Sequence, residues 1–340
     1  MTEKKDLFQQ LAAKIKAQNS RYIPELFRMI ANEEEAEILL ALPATVKDLA
    51  EKFQVDPADM EEKLRAVFIK GLVFKTETPD GIEYRFLRDV LQFHDGTNIW
   101  VDAPTEFLDL WETYMDEDWA DNTEVMAGSM SRPFFRVIPV QQTLSARSQI
   151  LAYESCQDMV DMNDSIAVSK CPCRIRSRKC DRPVDICLQF GKAADYNIDR
   201  GTGRALTKEE AMQLLREAEE AGLVHVTLNK ADGMYFICNC CGCCCIALRS
   251  IVDYGKIVTD PSRFLAKVDE DACTACGTCE ETCYFDAIHV EEKDGNDMAV
   301  VDAEKCLGCG LCRVSCPEEA IRLDEVREKE FIPEKYVAKK

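Results

Sequence analysis

Long apolar runs are missing from this 340-residue chain, and so is an apolar signal core. Met1-Thr2-Glu3-Lys4-Lys5 leads directly into a charged amphipathic segment. No window approaches the roughly 20 apolar residues of a membrane span, and no secretory or twin-arginine leader is visible. A cytoplasmic protein without a membrane span is expected. Positive charge is also short: 42 Lys and Arg face 62 Asp and Glu, for a net charge of −20. That balance works against nucleic acid and anionic membrane and favours a basic protein partner. Histidine is nearly absent. His94, His225 and His289 each read as surface or packing residues. Nucleotide cradles are missing too: no G-x-G-x-x-G follows a strand pattern, and Gly201-Thr202-Gly203 lacks the third glycine. There is no P-loop and no H-E-x-x-H. No flavin or NAD site is expected.

Cysteine is what the chain has in excess, with 19 residues. In a reducing cytoplasm these read as metal ligands, not disulfides. Cys156 stands alone and reads as a buried small hydrophobe. Eight others form two runs, Cys273-x2-Cys276-x2-Cys279-x3-Cys283 and Cys306-x2-Cys309-x2-Cys312-x3-Cys316-Pro317. The runs are halves of a repeat offset by 33 residues: Val268-Asp269 maps to Val301-Asp302, and Ala287-Ile288 to Ala320-Ile321. Each half reads as a short strand, a loop, a short helix and a returning strand. Gly277, Gly308 and Gly310 let the loops curl so that backbone N–H groups aim at sulfur. Three thiolates on one loop plus a distant fourth is the spacing that holds a [4Fe–4S] cube, and in paired runs the fourth cysteine ligates the other cube. The expected sets are Cys273, Cys276, Cys279 and Cys316 for one cube, and Cys306, Cys309, Cys312 and Cys283 for the other. Each fourth cysteine is expected to start a helix running towards the other cube. Structural zinc would use CxxC pairs with tetrahedral closure, and it accounts poorly for triple runs. The region resembles bacterial dicluster ferredoxins, although Cys283-Tyr284 stands where that family usually has Cys-Pro. Sixteen acidic residues against four basic ones between 268 and 325 should lower the reduction potential and attract a basic docking face.

Ten further cysteines lie upstream: Cys171, Cys173, Cys180 and Cys187, then Cys238, Cys240, Cys241, Cys243, Cys244 and Cys245. Adjacent cysteines point in different directions, so Cys243, Cys244 and Cys245 cannot all serve one iron set. Four to six ligands for one extra cluster, with spare thiols, is the expected count. Lys170, Arg174, Arg176, Arg178, Lys179 and Arg182 surround the first group and should stabilise thiolates there. A third Fe–S cluster is the favoured reading. Zinc and a redox-active thiol or disulfide are the alternatives. Cys240-Cys241-Gly242 resembles the CCG domain of heterodisulfide reductases, which holds a noncubane cluster, but the downstream CxxC of that family is missing.

The rest of the chain carries ordinary α+β signals. Thr45 with Asp48, and Asp56-Pro57, open two helices, and Gly71 ends the second. A hairpin follows around Pro79-Asp80-Gly81. Helix, turn, helix and hairpin resemble a winged helix-turn-helix over residues 25–95. Residues 100–165 read as helical linker, with one helix near Pro104–Glu117 and a Pro-punctuated crossing at 132–140. Thr207 caps a helix ending at Gly222, and a hairpin is expected about Ala231-Asp232-Gly233. The expected plan is a winged-helix-like domain (1–100), a linker (101–165), a Cys-rich domain (166–262), a dicluster ferredoxin-like domain (263–325) and a charged tail (326–340). The order of modules resembles multi-cluster ferredoxin-like proteins of anaerobes.

Without an organic cofactor site, the favoured function is electron relay between protein partners, a non-catalytic component of an oxidoreductase system. Two other functions stay open. One is a redox-sensing winged-helix regulator, which the net charge of −4 over residues 1–100 disfavours. The other is a reductase acting at a cluster in 171–245. The winged unit suits docking or homo-oligomer formation better than DNA.

Overall fold

The structure is a computed structural model that describes residues 6–79, 81–129, 131–141, 152–231, 234–293 and 295–335. The chain forms two compact units. The first is Met1–Trp119 with the short segments Ile175–Ser177 and Asp199–Thr202, and the second is the remainder. All 19 cysteines belong to the second. No helix among the described residues is long and apolar enough to cross a membrane.

Sequence punctuation sets the first unit. Thr45 and Asp48 make a reciprocal capping box on the helix Val46–Phe53, which satisfies two otherwise unpaired N–H groups. Asp56 caps the helix Pro57–Ile69. Gly71, at φ +86°, turns the chain beyond it. The strands Val73–Thr78 and Gly81–Phe86 pair antiparallel from Thr78↔Gly81, and Ala44–Thr45 adds a third strand. Asp80 of the expected turn lies outside the described residues. The core is aromatic: Phe27 stacks on Phe93 at 4.1 Å, and Trp111 meets Phe93, His94, Phe107 and Tyr114. Trp111 and Tyr114 lie on the helix Thr105–Glu117.

In the second unit, among the described residues, seven strands make one mixed sheet. Their order is Thr259–Asp260, Phe135–Ile138, Val224–Leu228, Phe236–Cys240, Asp185–Phe190, Ile166–Lys170, Gly203–Ala205. Only the first pair is parallel. The crossing at 132–140 is therefore a sheet strand, fully buried over Phe135–Ile138. Its neighbours lie far away in sequence, so local signals could not reveal the pairing. The helix Lys208–Glu220 opens on the Thr207–Glu210 capping box and hands on to the strand Val224–Leu228 through Gly222 at φ +68°. Residues 232 and 233 of the expected hairpin lie outside the described residues. The partner strand is Phe236–Cys240, so Cys238 and Cys240 fall inside it.

The two halves of the repeat exchange strands. Phe264–Val268 pairs with Ile321–Glu325, and Ile288–Lys293 with Asn296–Val301. The exchange follows the 33-residue offset: Val268↔Ile321 mirrors Ile288↔Val301. Likewise Asp269 N donates to Ala320 O (2.7 Å) as Asp302 N does to Ala287 O (2.9 Å). A small core of Phe264, Ala266, Cys279, Ile288, Ala299, Ile321 and Leu323 fills the space between.

Candidate metal centres

Each repeat loop leaves its sheet with a left-handed twist. Ala275 and Gly308 hold φ +54° and +63°, and Gly277 and Gly310 hold +80° and +85°. The latter two stand at the starts of the short helices Thr278–Thr282 and Leu311–Val314. Cys283 comes at the end of its helix, and Cys316 follows the end of the other by two residues. The fourth cysteine of each run thus closes a helix, contrary to the expectation that it opens one. The reason is that the third cysteine of each run, Cys279 or Cys312, already lies inside the short helix, which is finished by the time the chain reaches the fourth.

Two cavities result. One is lined by Cys283, Cys306, Cys309 and Cys312 with Tyr284, Phe285 and Leu311. The other is lined by Cys273, Cys276, Cys279 and Cys316 with Ala299 and Glu318. Backbone donors reach sulfur in the second: Ala299 N lies 3.5 Å from Cys273 Sγ and Ala320 N 3.3 Å from Cys316 Sγ. Soft thiolates with amide donors turned on them suit a thiolate-ligated iron–sulfur cube. The environments differ. Cys276 is exposed, and the Thr278 hydroxyl lowers its pKa. Burial pushes the Cys309 thiol up to about 12. Three hydrogen bonds anchor the 306–310 loop to the rest of the unit: Val140 N to Cys309 O (2.9 Å), Ser262 N to Leu307 O (3.0 Å) and Ser262 Oγ to Gly308 O (2.7 Å).

The ten upstream cysteines divide into two groups. Cys180, Cys241, Cys243 and Cys244 place their sulfurs within 4.8 Å of one another. The remaining six form a closed ring of thiol contacts. Cys171 touches Cys173 and Cys187, Cys187 touches Cys238, Cys238 touches Cys240, and Cys240 and Cys173 both touch Cys245. The sheet explains the ring. Cys238 and Cys240 are alternate residues of one strand and so share a face. Leu188 pairs with Ile237, which brings Cys187 beside Cys238. Asn239 lies on the opposite face and braces the strand through His225 (2.6 Å) and Ile186 O (2.5 Å). Cys243 and Cys244 lie in one group and Cys245 in the other, so all ten thiols have thiol neighbours.

Of the surrounding cations, Arg174 is buried. It donates to Pro183 O and Asn239 O, hydrogen-bonds Cys241, and lies in the field of Cys171 and Cys187. Arg182 hydrogen-bonds Cys180. Cys241 is held down at about 4, first by the Cys244 thiol and then by Arg174. Arg176 departs from the expectation, since it pairs with Glu112 at 3.3 Å within the first unit. Sequence reasoning had no role for Tyr284, the odd residue after Cys283. Its hydroxyl donates to Gly222 O at 2.7 Å. Its ring lies under the Arg182 guanidinium and is packed so close to Gly242 that a Cβ there would come within 2.9 Å. Burial pushes its pKa up to about 12, so it stays a neutral donor. Tyr284 therefore joins the Cys283 side of the first cavity to the 241–244 loop.

Residues 266–323 match the family model of a 4Fe-4S dicluster domain, so this part of the chain is a dicluster iron–sulfur module. Over 34 residues, 10% of its length, the chain is 56% identical to an iron-sulfur subunit of the CoB--CoM heterodisulfide reductase of Methanopyrus kandleri. The match spans 5% of that relative's own length. The module implies two [4Fe–4S] clusters.

Proposed function

We propose that the protein relays electrons to or from a partner oxidoreductase, through the dicluster module and a third iron–sulfur cluster upstream. The observation that carries this reading is the lining of the two module cavities. Each gathers three cysteines of one run and the fourth of the other. We assign Cys273, Cys276, Cys279 and Cys316 to one cube and Cys283, Cys306, Cys309 and Cys312 to the other. The third cluster is assigned to the ring of Cys171, Cys173, Cys187, Cys238, Cys240 and Cys245. When bound, each cluster would supply one-electron redox chemistry. The chain does the rest. Exposed Cys276 offers the surface point of exchange, the other cube sits among half-buried thiols, and Tyr284 fixes the distance to the upstream site. The acidic surface of 268–325 selects a basic partner. The first unit, with its helix, helix and hairpin order, is read as winged-helix-like and as a protein-docking or dimerisation surface.

Oxygen-free purification with iron and sulfide analysis tests this. About twelve irons per chain are expected for three clusters. Cys316→Ser should disturb the cube of Cys273, Cys276 and Cys279, and Cys283→Ser that of Cys306, Cys309 and Cys312. Colourless oxygen-free protein without iron would overturn the relay.

A further inference from the structure

We propose that Cys180, Cys241, Cys243 and Cys244 hold a single tetrahedral metal ion, a centre separate from every iron–sulfur cluster. This goes beyond the relay and does not depend on it.

The sulfur geometry is the first ground. Cys180 Sγ lies 3.9 Å from Cys241 Sγ and 3.8 Å from Cys244 Sγ, and Cys243 Sγ lies 3.7 Å from Cys244 Sγ. All four are within 4.8 Å of one another. A tetrahedron with edges near 3.8 Å has its centre about 2.3 Å from each corner, which is the zinc–thiolate bond length. These separations are far beyond the roughly 2.05 Å of a disulfide. They are also too tight for a cube, which binds each thiolate to a different iron and drives the sulfurs apart around a cluster-sized space. Among the described residues, neither the module cysteines nor the ring of six forms a group drawn together within 4.8 Å.

Charge is the second ground. Four thiolates on a divalent ion leave a net charge of 2−, which a half-buried site must offset. Two guanidinium groups do so, Arg174 on Cys241 and Arg182 on Cys180. The Lys179 backbone adds a hydrogen bond to Cys244. An S4 donor set in tetrahedral array takes zinc or a single iron. Either ion would tie the segment carrying Cys180 to the 241–244 loop beneath Tyr284.

The test uses the full chain purified without oxygen, as Cys180→Ser and as Cys243→Ser, read by metal and acid-labile sulfide analysis. Each variant should lose one metal ion per chain and keep its sulfide. Loss of one zinc, or of one iron without sulfide, supports the proposal and tells the two ions apart. Loss of sulfide together with several irons overturns it, as does an unchanged metal content. The unaltered protein gives a second measurement that needs no variant. X-ray absorption at the edge of the ion should show four sulfurs at about 2.3 Å and no metal neighbour. For an iron ion, the spectrum is the difference between unaltered protein and Cys180→Ser. Module iron and sulfide are counted in the same samples, so failure of this site and failure of the relay are told apart.

Discussion

Ala275 and Gly308 occupy the same place in the two halves of the repeat, and both carry a left-handed backbone, yet only one is glycine. The reason is local. A Cβ at Gly308 would run into the Phe264 carbonyl and the Ser262 hydroxyl. Gly308→Ala should therefore destabilise the module by about 2–4 kcal/mol, combining backbone strain and overpacking. Ala275→Gly removes a left-handed alanine but loosens the unfolded chain, so it should stay within about 1 kcal/mol of the parent. Denaturant melts of the iron-loaded protein check both, and equal effects would contradict the asymmetry. The glycines of these loops were legible in the sequence because a tight cysteine loop demands them. The role of Tyr284 was not, because Gly242 and Gly222 approach it only in the folded chain.

Among elements, the helix Lys208–Glu220 depends on its cap. Thr207→Ala removes the side-chain acceptor for Glu210 N and should lower stability by about 1 kcal/mol, seen as a smaller midpoint in chemical denaturation. Tyr284→Phe deletes one hydrogen bond to Gly222 O and should cost about 1 kcal/mol. Tyr284→Ala also empties the contact with Gly242. It should slow electron exchange between the module and the upstream centres while leaving iron content unchanged, as read by rapid-freeze EPR after partial reduction. Equal exchange rates in Tyr284→Ala and the parent would remove Tyr284 from the route. Helix starts and stops were readable from caps and glycines. The strand Phe135–Ile138 was not, since its partners Thr259–Asp260 and Val224–Leu228 lie about 90 to 120 residues away.

For the whole molecule, every cysteine lies in one of the two compact units. Stripping the metals should therefore unfold the second unit and spare the first, whose aromatic core owes nothing to iron. Calorimetry of metal-free protein should keep one transition and lose or shift the other. A single transition lost entirely would show that the units do not fold independently. The net charge of −20 acts at the same scale. Electron delivery to a basic partner should slow as ionic strength rises, because screening removes long-range attraction.

The sequence by itself determined the chemistry available: soft thiolates in repeated runs, with no nucleotide cradle pattern and a strongly acidic surface. Residue type, spacing and charge are local properties and survive without a fold. Only the tertiary structure decided how thiols share sites. Strand exchange between the repeat halves carries each fourth cysteine to the opposite loop. Sheet pairing brings Cys187 beside Cys238, and a turn sends Cys244 and Cys245 to different groups. Metal sites are made by convergence in space, and convergence depends on pairings that no short window of sequence contains.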